Sequence, residues 1–220
     1  MNVLVAGANG HTGRLIVQKL ALDGVHHAYA MVRSEDQVES LKNLGAERVI
    51  VADLEAQDLS AVVRGCDAVI FAAGSGSKTG PEKTIGVDEE GANKLVDAAK
   101  MNGVKRFVML SSVGADGDIK DYNGSLKHYV EAKGRADRYL QESGVNYTIV
   151  RPGLLTHAPA KGKVDIRKHY EYEEHEGRSI SRADLAHVLV ASLDNPHVKN
   201  KIFEMYSGQD PIDKALRDFE

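Results

Sequence analysis

Short, nearly unbroken apolar runs alternate along this chain with longer stretches in which apolar residues recur every three or four positions. The runs NVLVAG (2–7), AYAMVR (28–33), RVIVAD (48–53), DAVIFAAG (67–74), VKRFVMLSS (104–112) and VNYTIVRPG (145–153) predict six strands. They are apolar throughout rather than at every second position, so both faces of each should be covered, as in a parallel sheet. Helical periodicity predicts helices over 12–24, 34–45, 59–65, 84–102 and 125–143, and Ser34 and Gln37 stand at capping-box positions of the second. This alternation predicts βαβ units with right-handed crossovers, hence a doubly wound α/β fold on a parallel sheet. The rhythm breaks over the charged stretch 153–180. It resumes with a helix at 181–195, a strand at 201–207 and a short final helix. One domain is expected over 1–220, with a core at 1–152 and small added elements at 153–180 and 195–220.

Composition narrows the class. With 42% hydrophobic and 27% charged residues, the 220-residue chain has the balance of a soluble globular protein. A net charge of −4 argues against nucleic acid or an anionic membrane as partner, since both reward a basic face. The one cysteine, Cys66, excludes an internal disulfide and reads as a buried, inert thiol at the start of a strand. No charged-then-apolar leader opens the chain, and no run reaches the ~18–20 apolar residues of a membrane span. A cytoplasmic protein, monomer or homodimer, acting on a small molecule is the expectation.

Between the first strand and the first helix lies GANGHTG, with Gly7, Gly10 and Gly13 at G-x-x-G-x-x-G spacing. In that position the first glycine allows a sharp turn, the second lets a diphosphate approach bare backbone, and the third permits close helix–strand contact. The helix N-terminus adds free N–H groups and a positive dipole end. A dinucleotide site on a Rossmann fold follows, with Asn9, His11 and Thr12 beside the glycines. About 20 residues on, where a carboxylate would take the 2′-hydroxyl of NAD, the chain has Arg33 followed by Ser34. A guanidinium suits a 2′-phosphate, so NADP is favoured over NAD, although Glu35 and Asp36 weaken the positive field. A solvated arginine beside a helix-capping serine is the plainer alternative. Asp53 either accepts from the adenine amino group, with Leu54 packed near the ring, or caps a helix. The small residues Ala72, Ala73 and Gly74 leave room for a ribose against the backbone.

The segments GANGHTG, ADL, AAGSG, VDEEGANKLVDAAK, FVMLSSVGAD, HYVEAKGRAD and RPG, in this order, resemble the short-chain dehydrogenase/reductase superfamily. The chain is most similar to its atypical single-domain members of the NAD(P)-dependent epimerase/dehydratase or NAD(P)H-binding kind, over nearly its whole length. The resemblance implies that Tyr129 and Lys133, in YVEAK, are the Tyr-x-x-x-Lys pair. Tyr129 would exchange a proton with a substrate oxygen while hydride moves at the nicotinamide. Lys133 would lower the phenol pKa and bind the nicotinamide ribose. It puts Ser112 at the catalytic serine, Ser111 against the nicotinamide, and the Arg151-Pro152-Gly153 turn along that ring. Asp88 stands where extended members have an asparagine; a carboxylate cannot donate as an amide does, which puts a water relay there in doubt. The loop between Ser112 and Tyr129 is compact.

Nine histidines raise the question of metal. On a strand, His169, Glu171, Glu173 and His175 would share a face, but no second ligand group stands out, so KHYEYEEHEG reads as a solvated hairpin and no metal is expected. His157 faces either substrate or solvent, and Tyr170 and Tyr172 are placed at the mouth of a small pocket. The leading expectation is an NADP-dependent oxidoreductase, or an epimerase/dehydratase-type enzyme, acting on a small carbonyl or alcohol. A non-catalytic NAD(P)H sensor and a quinone- or flavin-reductase-like enzyme are the alternatives.

Overall fold

A computed structural model describes residues 1–76, 80–117 and 124–220, without the side chains of Ser125, Tyr172 and Glu173. In chain order its elements are β1 (Asn2–Ala6), α1 (His11–Asp23), β2 (His27–Val32), α2 (Val38–Asn43), β3 (Arg48–Val51), α3 (Ser60–Val63), β4 (Ala68–Phe71), α4 (Pro81–Lys83), α5 (Ala92–Met101), β5 (Arg106–Leu110), α6 (Gly124–Glu142), β6 (Tyr147–Pro152), β7 (Leu154–Thr156), β8 (Lys163–Arg167), β9 (Ser179–Ser181), α7 (Arg182–Ala191), β10 (Lys201–Ser207), β11 (Asp210–Pro211) and α8 (Ile212–Arg217).

Nine strands form one sheet in the order β11-β8-β10-β6-β5-β4-β1-β2-β3. From β3 to β10 every neighbour is parallel. The order reverses at β1, which pairs with β2 on one side and β4 on the other, leaving a crevice above their C-terminal ends. The apolar runs are continuous because each strand feeds two cores. Val3 and Val5 pack toward Ile16 and Leu20 of α1 and Leu185 and Leu189 of α7. Leu4, Phe107 and Met109 pack toward Leu95 and Val96 of α5 and Ala136 and Leu140 of α6. Truncating a fully buried leucine such as Leu140 in such a layer costs about 2–5 kcal/mol. Cys66 is buried, and burial pushes its thiol up to about 11. Among the described residues no helix is long and apolar enough to cross a membrane.

Four expectations need correction. The helix over 34–45 is a 3-10 turn at Glu35–Gln37 followed by the short α2, and the capping box does not form. Ser34 makes no side-chain cap bond, and Gln37 Oε1 instead accepts from the Arg33 N–H at 3.3 Å. The helix over 84–102 is π-helical across Thr84–Gly91 before it settles into α5. The hairpin expected over 168–177 is instead a 3-10 turn at Tyr172–His175. The stretch around it, where the rhythm breaks, is not irregular throughout. It holds β7 and β9, which pair with each other in a separate small sheet, and β8, which joins the main sheet antiparallel to β10. Strands of three residues carry too few positions for periodicity to register.

Candidate functional site

A cleft of about 720 Å³ lies over the C-terminal ends of β1, β2 and β4, at the point where the sheet order reverses. Its floor is the glycine loop. Gly7 sits at φ 80°, and a Cβ there would lie 2.6 Å from Ala73 Cα. A Cβ on Gly13 would run into the Gly7 carbonyl and the backbone of Ala8. Gly10 differs, since an added Cβ would meet only the Gly7 oxygen, at 3.3 Å, and would otherwise project into open space. Two glycines therefore serve close packing, and the third keeps backbone open to the cleft. Helix α1 starts at His11 with no side-chain cap and no acidic residue in its first turn, so its leading amides and dipole face the cleft unneutralised. Asn9, Gly10, His11 and Thr12 line this part. His157 does not line the cleft; its ring packs edge-on against His11 at 4.9 Å.

At the far end Arg33, Asp53 and Leu54 line the wall, and Arg33 forms no ion pair among the described residues. Ser34 is adjacent but not part of the lining. Asp53 Oδ1 accepts from the Glu55 N–H at 2.9 Å, capping a turn rather than the helix expected as the alternative, while the residue still faces the cleft. Gln37, at the end of the 3-10 turn that follows Arg33, also lines this end; sequence reading had assigned it only to a cap. Arg14, missed altogether, donates to Asn9 Oδ1 at 3.0 Å and to Ser40 Oγ at 2.6 Å, bracing the loop.

Ala72, Ala73 and Gly74 lead to the other end, where Tyr129 and Lys133 of α6 reach the cleft. The Lys133 ammonium lies 5.7 Å from the centroid of the Tyr129 ring. It is buried, forms an ion pair with Asp88 Oδ1 at 3.1 Å, and donates to the Ala73 carbonyl at 3.3 Å and the Leu110 carbonyl at 3.2 Å. Asp88 comes from the π-helical stretch, and its other oxygen accepts from the Ser75 N–H at 2.9 Å. Burial works against the Lys133 charge, but Asp88 outweighs it and holds its pKa above the ordinary lysine value. For Tyr129 burial dominates. It raises the phenol pKa, the Lys133 charge lowers it, and Asp88 and Asp137 raise it again, with a net upward shift. Neighbouring lysine was expected to depress this pKa; it pulls downward, but burial outweighs it.

The serines do not take their expected places. Ser111 Oγ donates to Asp137 Oδ2 at 2.8 Å, beneath α6, and Ser112 Oγ donates to the Val113 carbonyl at 3.0 Å. Neither lines the cleft, nor does Pro152, whose carbonyl accepts from Val113 N–H. Asp137 also accepts from Arg151 Nε at 3.0 Å, and Arg151 reaches Asp116 at 2.6 Å. Burial raises the Asp137 pKa against the opposing pull of Arg151. Gly153 is small for another reason: a Cβ there would enter the Tyr206 ring. Tyr170 is fully buried against that ring, with centroids 5.0 Å apart, and is not at a pocket mouth; the Tyr172 side chain lies outside the described residues. Residues 118–123 of the loop between Ser112 and Tyr129 also lie outside them.

The profile of the NAD(P)H-binding family matches residues 7–196. Over 219 residues the chain is 42% identical to the uncharacterized sugar epimerase YhfK of Bacillus subtilis, covering 99% of each. A solved structure from Bacillus halodurans, titled as a candidate NAD-dependent epimerase/dehydratase, superposes with a TM-score of 0.92 at 42% identity, covering 98% of both chains. The oxidoreductase ylbE from Lactococcus lactis superposes with a TM-score of 0.83 at 29% identity, covering 98% of this chain and 95% of that one.

Proposed function

The chain belongs to the NAD(P)H-binding family, and on that footing we propose that it is an NADPH-dependent reductase of a small carbonyl compound, with Tyr129 as proton donor. The fold and the family support a nicotinamide cofactor. The glycine cradle fits its diphosphate: the amides at the start of α1 are uncapped, and Gly10 leaves space where a side chain would intrude. Arg33 at the adenosine end, with no ion pair among the described residues, favours the 2′-phosphate of NADPH, and Ser34 is close enough in sequence to assist. When bound, the cofactor supplies the hydride.

The placement of Tyr129 in the cleft wall beside Lys133, where burial shifts its phenol upward, is what supports the direction of reaction. A phenol above its ordinary ~10 keeps its proton at neutral pH, so it can donate to the oxygen of a carbonyl being reduced. The same shift makes it a poor base for abstracting an alcohol proton, which weighs against the epimerase role in the name of the Bacillus subtilis relative. Asp88 and the two carbonyls hold Lys133 in place, so that its charge acts on Tyr129 from a fixed distance rather than by binding ribose. Ser111 and Ser112 hold their own chain rather than substrate. A cytoplasmic monomer or homodimer with a small-molecule substrate is consistent with the single buried thiol.

The test is Tyr129→Phe, assayed with NADPH and a panel of aldehydes, ketones and quinones. Turnover should fall by about 10²–10⁴-fold while NADPH affinity is kept. Unchanged turnover would mean that hydride passes straight to an acceptor ring with no phenol involved. Absence of turnover in the wild type across the panel would favour the sensor reading.

A further inference from the structure

We propose that Asp116, His169 and Glu204 form a site for one divalent transition-metal ion of the Zn²⁺/Mn²⁺ class, tying the segment after β8 to the loop after β5. One ligand atom from each lies within 4.8 Å of the others. Donors bonded to one ion at ~2.1 Å stand at most about twice that distance apart, so closing the set takes only small side-chain rotations.

Independent support comes from Glu204. It is fully buried, and its Oε1 has no hydrogen-bond partner among the described residues, while Oε2 accepts from the Tyr170 N–H at 2.8 Å. Oε1 faces His169 Nδ1 at 3.5 Å. The register of the sheet sets Glu204 between Arg151 on β6 and Arg167 on β8. Neither arginine pairs with it among the described residues. Arg151 is held by Asp116 and Asp137, and Arg167 by Asp165 and Glu174. Asp116 and Asp137 thus share the Arg151 guanidinium, Glu204 has no share in it among the described residues, and Asp116 and Glu204 converge with an imidazole. A buried carboxylate oxygen without a partner is costly, and a cation between Glu204 and Asp116 would remove both that cost and their mutual repulsion. Two carboxylates with one imidazole suit Mn²⁺ or Zn²⁺ better than a soft ion or Mg²⁺. His169 was weighed above only with its sequence neighbours; its partners come from the loop after β5 and the middle of β10, far along the chain.

The site is separate from Tyr129, so its test does not depend on the reductase reading. Chelator-dialysed protein is titrated with ZnCl₂ alone and with MnCl₂ alone by calorimetry, then melted with and without metal. At least one of the two ions should bind at one equivalent per chain and raise the melting temperature. His169→Ala, at a half-exposed position that tolerates truncation, should weaken binding at least about tenfold and abolish the rise. Glu204→Gln should do the same, whereas His128→Ala on the exposed face of α6 should change neither. NADPH binding by each variant shows that it is folded. Absence of saturable binding, or binding that His169→Ala leaves intact, overturns the proposal; in the second case the metal sits on other surface histidines. A lower metal-free melting temperature in His169→Ala without any metal effect in the wild type also overturns it, since the pair would then be a plain His169–Glu204 ion pair.

Discussion

Around the N-terminus of α1 the cleft is made of backbone, with glycines where side chains would intrude and amides left uncapped, whereas at its Tyr129 end it is made of charged side chains that hold one another. The first kind of site recognises a ligand by leaving space and presenting a dipole. The second spends its charge internally, Lys133 on Asp88, and behind its lining Arg151 is likewise spent on Asp137 and Asp116. At the backbone end, a substitution at the open position Gly10 should therefore change cofactor affinity with little effect on folding, unlike one at the packed positions Gly7 and Gly13. Substitutions at the charged end should change stability and chemistry together.

The sharpest break of that contrast is Asp88→Ala. It strands a fully buried ammonium, and about 3–5 kcal/mol of unfolding free energy should be lost in a urea titration. Lys83→Ala, which removes an exposed ion pair with Glu55 at the cleft rim, should cost under ~1 kcal/mol in the same assay. Equal costs would show that the buried pair does not hold α6 in place. Next in size is Arg33→Ala. Fluorescence titration should show NADPH weakened by at least about tenfold, from ~1.5–3 kcal/mol of lost charge-assisted hydrogen bonds, with NADH nearly unaffected. Parallel losses for both coenzymes would remove the 2′-phosphate role.

Gly10→Ala should keep its melting temperature within a few degrees yet bind both coenzymes about tenfold more weakly, about 1.4 kcal/mol. Gly13→Ala, whose Cβ collides with backbone, should instead unfold at lower temperature. The smallest effect is in the pH profile. A protonated Tyr129 is the active form, so turnover should stay level from about pH 6 to 9 and fall only as the phenol loses its proton at higher pH. In Asp88→Asn one charge that raises that pKa is gone, and the fall should begin at lower pH. A rise in rate with pH would mean that tyrosinate, not tyrosine, is the working form.

Much of the fold was legible because it is written in local pattern. The six apolar runs became β1–β6 because parallel strands covered on both faces need little else. The glycine spacing located the cradle because a close approach to backbone leaves no other residue type. Tyr129 and Lys133 were legible for a similar reason: a spacing of four on a helix puts two side chains on one face. Asp88 was found only as a departure from a family pattern. What it does, pairing with Lys133, depends on a π-helical stretch whose hydrophobic pattern reads as ordinary helix.

What the chain's order of residues determined by itself is thus the alternation of elements, the dinucleotide cradle and the neighbourhood of Tyr129, since each rests on residues a few positions apart. Tertiary structure alone decided where the charges end up. Whether Ser111 faces the cleft or Asp137, and whether Glu204 meets an arginine or stands beside His169 and Asp116, follows from which strand ends the sheet brings together and how α6 packs over them. Buried charges interact over distance in space, and no local periodicity records that distance.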